Sequence, residues 1–89
     1  GGKWKIAILY QLNQRPCRFG ELKKTLHPIT QQMLTKQLRE LEKDGLIARR
    51  VYNLIPPKVE YSLTQFGFSL KPVISSLCKW VSVNKKHIE

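Results

Sequence analysis

Acidic residues are scarce in this chain of 89 residues: 6 Asp and Glu stand against 16 Lys and Arg, a formal net charge of +10 with a pI near 10.0. That imbalance points to a polyanionic partner, nucleic acid ahead of a membrane surface, because the bases are spread through folded-looking segments rather than gathered in one tail. Cysteine is also rare. Cys17 and Cys78 are the only two, too few for the disulfide framework of a small secreted domain, and no charged, apolar and small-residue leader opens the chain. A reducing cytoplasm is the expected compartment. No run approaches the roughly 18 apolar residues of a membrane span, so no membrane partner is expected.

Chemistry-bearing residues are equally thin. His27 and His87 are the only histidines, there is no HExxH, no phosphate-cradling glycine loop and no carboxylate pair suited to acid and base work, so no catalytic residue is expected. Cys17, His27, Cys78 and His87 have spacings that form no zinc knuckle, so neither a metal nor another cofactor is expected. The chain opens at Gly1-Gly2-Lys3-Trp4 with no helix cap, which reads as a protein that continues upstream.

What is present is a clear order of elements. WKIAILYQL, residues 4 to 12, is apolar on more than one face and reads as a helix buried on two sides, ended by Arg15-Pro16. An extended stretch from Cys17 to Phe19 follows. GELKKTLHP, residues 20 to 28, predicts a two-turn helix with Leu22 and Leu26 inward and Lys23 and Lys24 outward, closed by Pro28. Thr30 then caps a third helix, with Ile29 packing back on its first turn, and the helix runs to Asp44 with Gly45 as a left-handed stop.

After Gly45 the period changes from 3.6 to 2. LIARRVY and KVEYSL read as two strands of a hairpin around NLIPP, whose prolines need no ladder hydrogen bond. Thr64 caps a last helix to about residue 83, with one apolar seam at Phe66, Leu70, Val73, Leu77 and Trp80 and a second at Ile74, Cys78 and Val81. Two stripes want two surfaces, one on this domain and one on a second copy. Pro72, inside that helix, is expected to kink it or force local repair.

Within the third helix, Leu34, Leu38 and Leu41 repeat at i, i+4 and i+7, while Thr30, Gln31, Gln32, Thr35, Lys36 and Arg39 lie on the exposed side. From Thr30 to Arg39 there is no acid. Gln pairs with adenine, Arg or Lys with guanine, and a Thr methyl touches the thymine methyl, so this face has the composition of a major-groove reader. Arg49, Arg50 and Lys58 on the acid-free hairpin, with Arg18 and Lys23 on the other flank, are the expected phosphate contacts. The fold class is therefore mainly α with a small β-hairpin: a winged helix-turn-helix, ordered helix, short strand, helix, helix, strand, strand, helix. One domain over residues 1–89 is expected. The competing readings are a winged-helix protein-interaction module, or one that binds nucleic acid without sequence preference.

The stretches GGKW (Gly1 to Trp4), RFGEL (Arg18 to Leu22), ITQQMLTKQLRELEKDGLIARRVY (Ile29 to Tyr52) and PPKVEYSLTQFGFSLKPV (Pro56 to Val73) resemble the blocks of the HxlR-type transcriptional regulators, relatives of the MarR group. The resemblance covers essentially the whole chain. It implies a prokaryotic, cytoplasmic homodimer on double-stranded DNA, its first and last helices (about 3–13 and 65–83) forming the dimer surface. Trp4, Ile8, Phe66, Leu70, Leu77, Trp80 and Val81 are the candidate dimer contacts. Operators would be imperfect inverted repeats with half-site centres one turn, about 34 to 36 Å, apart.

Members of that family answer reactive aldehydes, quinones or oxidants, so a small-molecule effector is a candidate partner, with the aromatic group of Trp4, Tyr10, Phe66 and Trp80 as its place. Several members sense oxidants through a cysteine upstream of GGKW, a position absent from this sequence. Redox sensing is therefore unsupported here: Cys17, beside Arg15 and Arg18, reads as an ordinary small buried or loop thiol, with a redox role through a lowered thiolate pKa as the alternative, and Cys78 reads as core. Gln31-Gln32 departs from the Pro and Lys common in the family at the start of this helix, so the preferred operator is expected to differ.

Overall fold

Three leucines organise the packing. In the computed structural model, which describes residues 2–84, Leu34, Leu38 and Leu41 are at most 1 % exposed, on the inner face of a helix spanning Gln31–Lys43. Helical spacing places them one above the other, and they share one core with Ile8, Leu12, Leu22 and Ile47, which come from three other elements. The elements in chain order are α1 (Gly2–Gln14), β1 (Cys17–Arg18), α2 (Phe19–Thr25), α3 (Gln31–Lys43), β2 (Ile47–Tyr52), β3 (Lys58–Leu63), α4 (Gln65–Ser69) and α5 (Lys71–Val83). This is the winged helix-turn-helix that the order of periodicities predicts.

The local signals act where the side chains put them. The Thr30 hydroxyl accepts from the Met33 amide at 3.1 Å and opens α3, with Ile29 buried behind it. Gly45, at φ 77°, ends it in the left-handed region that a side chain resists. On α2, the Glu21 carboxylate accepts from the Arg18 amide at 2.9 Å and from the Arg15 guanidinium at 2.8 Å, which holds its carboxyl below the usual carboxylate range. That helix starts one residue earlier than expected, at Phe19, and stops at Thr25 rather than running toward Pro28, since the residue before a proline avoids the helical region.

The expected short strand joins the expected hairpin, and the expectation of one last helix is corrected. The hairpin is not alone: β1 pairs antiparallel with β3, Cys17 opposite Tyr61 and Arg18 opposite Glu60, giving a three-stranded sheet in the order β1-β3-β2. The last helix is two helices. Leu70 ends α4 and begins α5, and Pro72 sits in the first turn of α5, where its missing amide hydrogen is no loss; inside a continuous helix it would have removed a bond and struck a carbonyl.

Candidate nucleic-acid interface

The face of α3 turned away from the leucines is open to solvent. Thr30, Gln31, Gln32, Thr35, Lys36, Arg39 and Glu40 together line one open concavity, so all six recognition residues expected from the helical spacing share a surface. Thr35 is half-buried and the other five are exposed. Glu40, the acid on that surface, accepts a hydrogen bond from the Lys5 ammonium of α1 at 3.0 Å, and this bond holds its carboxyl below the usual range. Lys5 thus offsets the one negative charge among these lining residues and pins α1 to α3.

The wing continues this surface from one side only. Arg49, with Thr35, Leu38, Arg39, Glu42 and Tyr61, lines a second, smaller hollow that joins the helix to the sheet. Side chains alternate along a strand, so Arg49 shares the face of Tyr61 and Cys17, whereas Arg50 lies on the opposite face with Glu60 and Arg18. There the Arg50 guanidinium stacks over the Tyr52 ring at 5.2 Å and the Lys58 ammonium at 4.9 Å. Glu60 accepts from the Tyr52 hydroxyl at 3.1 Å and pairs with Lys58 at 3.5 Å. Lys23 of α2 and Arg18 are exposed and remote in sequence from the wing tip.

Cys17 takes the buried of the two ordinary places open to it, and the alternative of a reactive thiolate fails. Its side chain is 5 % exposed and its Sγ donates to the Arg15 carbonyl at 3.4 Å; burial pushes the thiol above its ordinary value, with Glu21 and Glu60 adding to the rise and Arg15 opposing it. A lowered pKa is therefore corrected to a raised one, because the residue faces the core rather than a loop. Burial raises Cys78 as well, on the side of α5 that packs against the core.

The candidate dimer contacts divide. Phe66, Leu77 and Trp80 are exposed, and Val73 and Val83 beside them are too. Trp4 is half-buried against the core. Ile8 is fully buried within the chain and is corrected to a core residue, whereas Leu70 is half-buried and packs partly on the core, as Trp4 does. The side chain of Val81 and all of His87 lie outside the described residues.

Two residues escaped the pattern reading. Gln37, among the leucines of α3, is only 7 % exposed, and Gly67 of α4 sits where any Cβ would strike the Leu46 carbonyl oxygen. Apolar periodicity is blind to both, since one is polar and the other has no side chain. Among the described residues no group of three metal-ligating side chains assembles, and no helix is long and apolar enough to cross a membrane.

Comparison with known proteins agrees with this geometry. The family model described as HxlR-like helix-turn-helix matches residues 1–89. The HTH-type transcriptional regulator YkvN of Bacillus subtilis is 55 % identical over 80 residues, 90 % of this chain and 68 % of that protein. The solved structure of the redox regulator HypR in its oxidized form superposes with a TM-score of 0.89 at 49 % identity, covering 94 % of this chain and 87 % of that one. A MarR-family regulator from Enterococcus faecalis V583 superposes at 0.81 with 46 % identity, covering 97 % and 78 %. Sequence blocks, element order and an exposed basic third helix agree with these likenesses, and the chain belongs to the HxlR-like helix-turn-helix family of MarR-related, DNA-binding, non-enzymatic transcriptional regulators.

Proposed function

We propose that this protein is a cytoplasmic, sequence-specific regulator that binds double-stranded DNA as a homodimer on an inverted-repeat operator, α3 of each subunit reading a major groove. The observation that carries the reading is the single concavity formed by Thr30, Gln31, Gln32, Thr35, Lys36 and Arg39, with its one acid held by Lys5. Amides and a guanidinium supply base-edge contacts, and the bases of the wing supply phosphate contacts. The exposed apolar side of α5, with Phe66 of α4, supports the dimer, since a contiguous apolar patch on so basic a chain has no use in free solution. Response to an electrophile or other small molecule belongs to the same proposal, supported by the likeness to HypR, a redox regulator.

Selection of bound duplexes from a randomised pool at near-physiological salt tests the whole reading. An inverted repeat with half-sites about one turn apart is expected. Recovery of no motif, with binding that vanishes steeply as salt rises, would mean that charge alone drives association and would sink it.

Single residues are assigned by two further measurements. Arg39→Ala is expected to weaken the preferred site by about 1 to 3 kcal/mol and to relax preference at one operator position. Equal weakening on every sequence would reassign Arg39 to a phosphate. Arg49→Ala, by contrast, is expected to weaken all sequences evenly and to flatten the dependence of log K on log salt by about one unit. Arg50→Ala should do less, because Arg50 lies across from Glu60 and away from α3. A salt slope unmoved by Arg49→Ala would remove the wing from the interface.

A further inference from the structure

Two side chains of α3 are incompletely matched. Glu40 lines the recognition concavity, yet only one of its oxygens is bonded: Oε1 accepts from the Lys5 ammonium at 3.0 Å, while Oε2 is buried with no hydrogen-bond partner among the described residues. Gln37 Oε1, three residues earlier and so beside it on the helix, is buried without a partner as well. Lys5 is thus the one described side chain that donates to a carboxylate standing among the residues that face DNA.

We propose that Lys5 is a positioning residue for DNA recognition: from α1 it holds the Glu40 carboxylate, which leaves the Lys36 ammonium, one turn back on α3, free to meet the duplex. This rests on the DNA-binding reading above and deepens it, because it makes the chemistry of the recognition face depend on a residue that lies outside that face.

Competition for one carboxylate supports the assignment. Residues four apart on a helix are surface neighbours, so Lys36 is the cation of α3 placed to pair with Glu40. The Lys5 hydrogen bond does most to hold the Glu40 carboxyl below its usual range, and the charge of Lys36 adds to it. Lys36 nevertheless stays exposed and, among the described residues, makes no ion pair. A base placed before its acid is the weaker order for such a pair, so an outside partner on α1 wins while it is in place. Once that partner is gone, no other described donor satisfies Glu40, and the acid turns to Lys36.

The consequence falls on base reading. A Lys36 ammonium bonded to Glu40 has its charge cancelled and a donor occupied, so it no longer suits the acceptor edge of a guanine. The bridge is also placed to act between elements. Of the three ion pairs among the described residues, it alone joins α1 to α3; Arg15 with Glu21 ties the end of α1 to α2, and Lys58 with Glu60 stays within β3.

The test measures binding to the selected operator by Lys5→Met, Glu40→Gln and the double variant, and by Lys36→Met alone and added to Lys5→Met. Lys5→Met is expected to bind about tenfold more weakly and to relax preference at the same operator position as Lys36→Met. Glu40→Gln should bind at least as tightly as the natural protein, and the double variant should return to within about twofold of it, because no acid is left to capture Lys36. Lys36→Met should cost the natural protein about tenfold but Lys5→Met less than about twofold, and Lys5→Arg, which keeps the bond, should bind normally. A half-exposed ion pair adds little to folding, so every variant should melt near the natural protein. Glu40→Gln as weak as Lys5→Met would make the bridge a structural pin and overturn the proposal. A Lys5→Met loss of the same size with and without Glu40 would overturn it too, reducing Lys5 to a distant positive charge. Either result leaves the operator in hand and the DNA reading intact, whereas failure of the natural protein to select any duplex would overturn both.

Discussion

Gly67→Ala is expected to lower the midpoint of thermal unfolding by roughly 12 to 24 °C, the change that about 3 kcal/mol produces in a domain of this size. The cost is one of space, because the added methyl would meet the Leu46 carbonyl oxygen, a backbone atom, and then a methyl of Leu63. Neither Leu46 nor α4 can retreat easily. The Thr64 amide donates to the Leu46 carbonyl at 3.1 Å, and the Thr64 hydroxyl donates to the Gly45 carbonyl at 2.6 Å while its own oxygen accepts from the Gly67 amide at 3.1 Å. One threonine thus fastens the end of α3 to the start of α4, and Gly67 allows the close approach. Gly20→Ala is the control: its Cβ would enter open space on α2, and a gain of about 0.5 to 1 kcal/mol is expected there. Differential scanning calorimetry reads both. Melting of Gly67→Ala within a few degrees of the natural protein would show that α4 does not pack this closely.

Leu77→Asp is expected to convert the proposed dimer to monomer and to remove the proposed specific DNA binding with it. Leu77 is 38 % exposed on α5, on the side that carries Val73 and Trp80, while Ile74 on the other side is 5 % exposed. The chain can therefore keep its own core when Leu77 is replaced. In a two-fold interface the substitution occurs twice, and each unpaired carboxylate taken from water costs several kcal/mol, so dimerisation should weaken more than a hundredfold. A monomer binds one half-site, which forfeits the advantage of linked sites. Sedimentation and circular dichroism decide it: an intact fold with monomeric mass is expected, and a persisting dimer would place the interface elsewhere. Ile8→Asp, by contrast, should unfold the chain, because Ile8 is fully buried.

Much of the molecule follows from the sequence alone, for a physical reason. Helices and strands impose periods of 3.6 and 2 on which residues can reach a core, so Leu34, Leu38 and Leu41 declared their helix and its outer face before any coordinate, and Val59, Tyr61 and Leu63 declared a strand. Thr30, Thr64 and Gly45 act within a few residues of themselves, through a side-chain acceptor or a positive φ, so their roles were legible as well. Only the tertiary structure decided the rest. Periodicity cannot say which of two apolar stripes meets the core of its own chain, so Ile8 turned inward while Phe66 and Trp80 did not. Nor can it tell which strand β1 joins, whether Cys17 meets solvent or core, or that Gly67 must admit a carbonyl. Those outcomes depend on contacts between residues far apart in the chain, and such contacts exist only once the chain has folded.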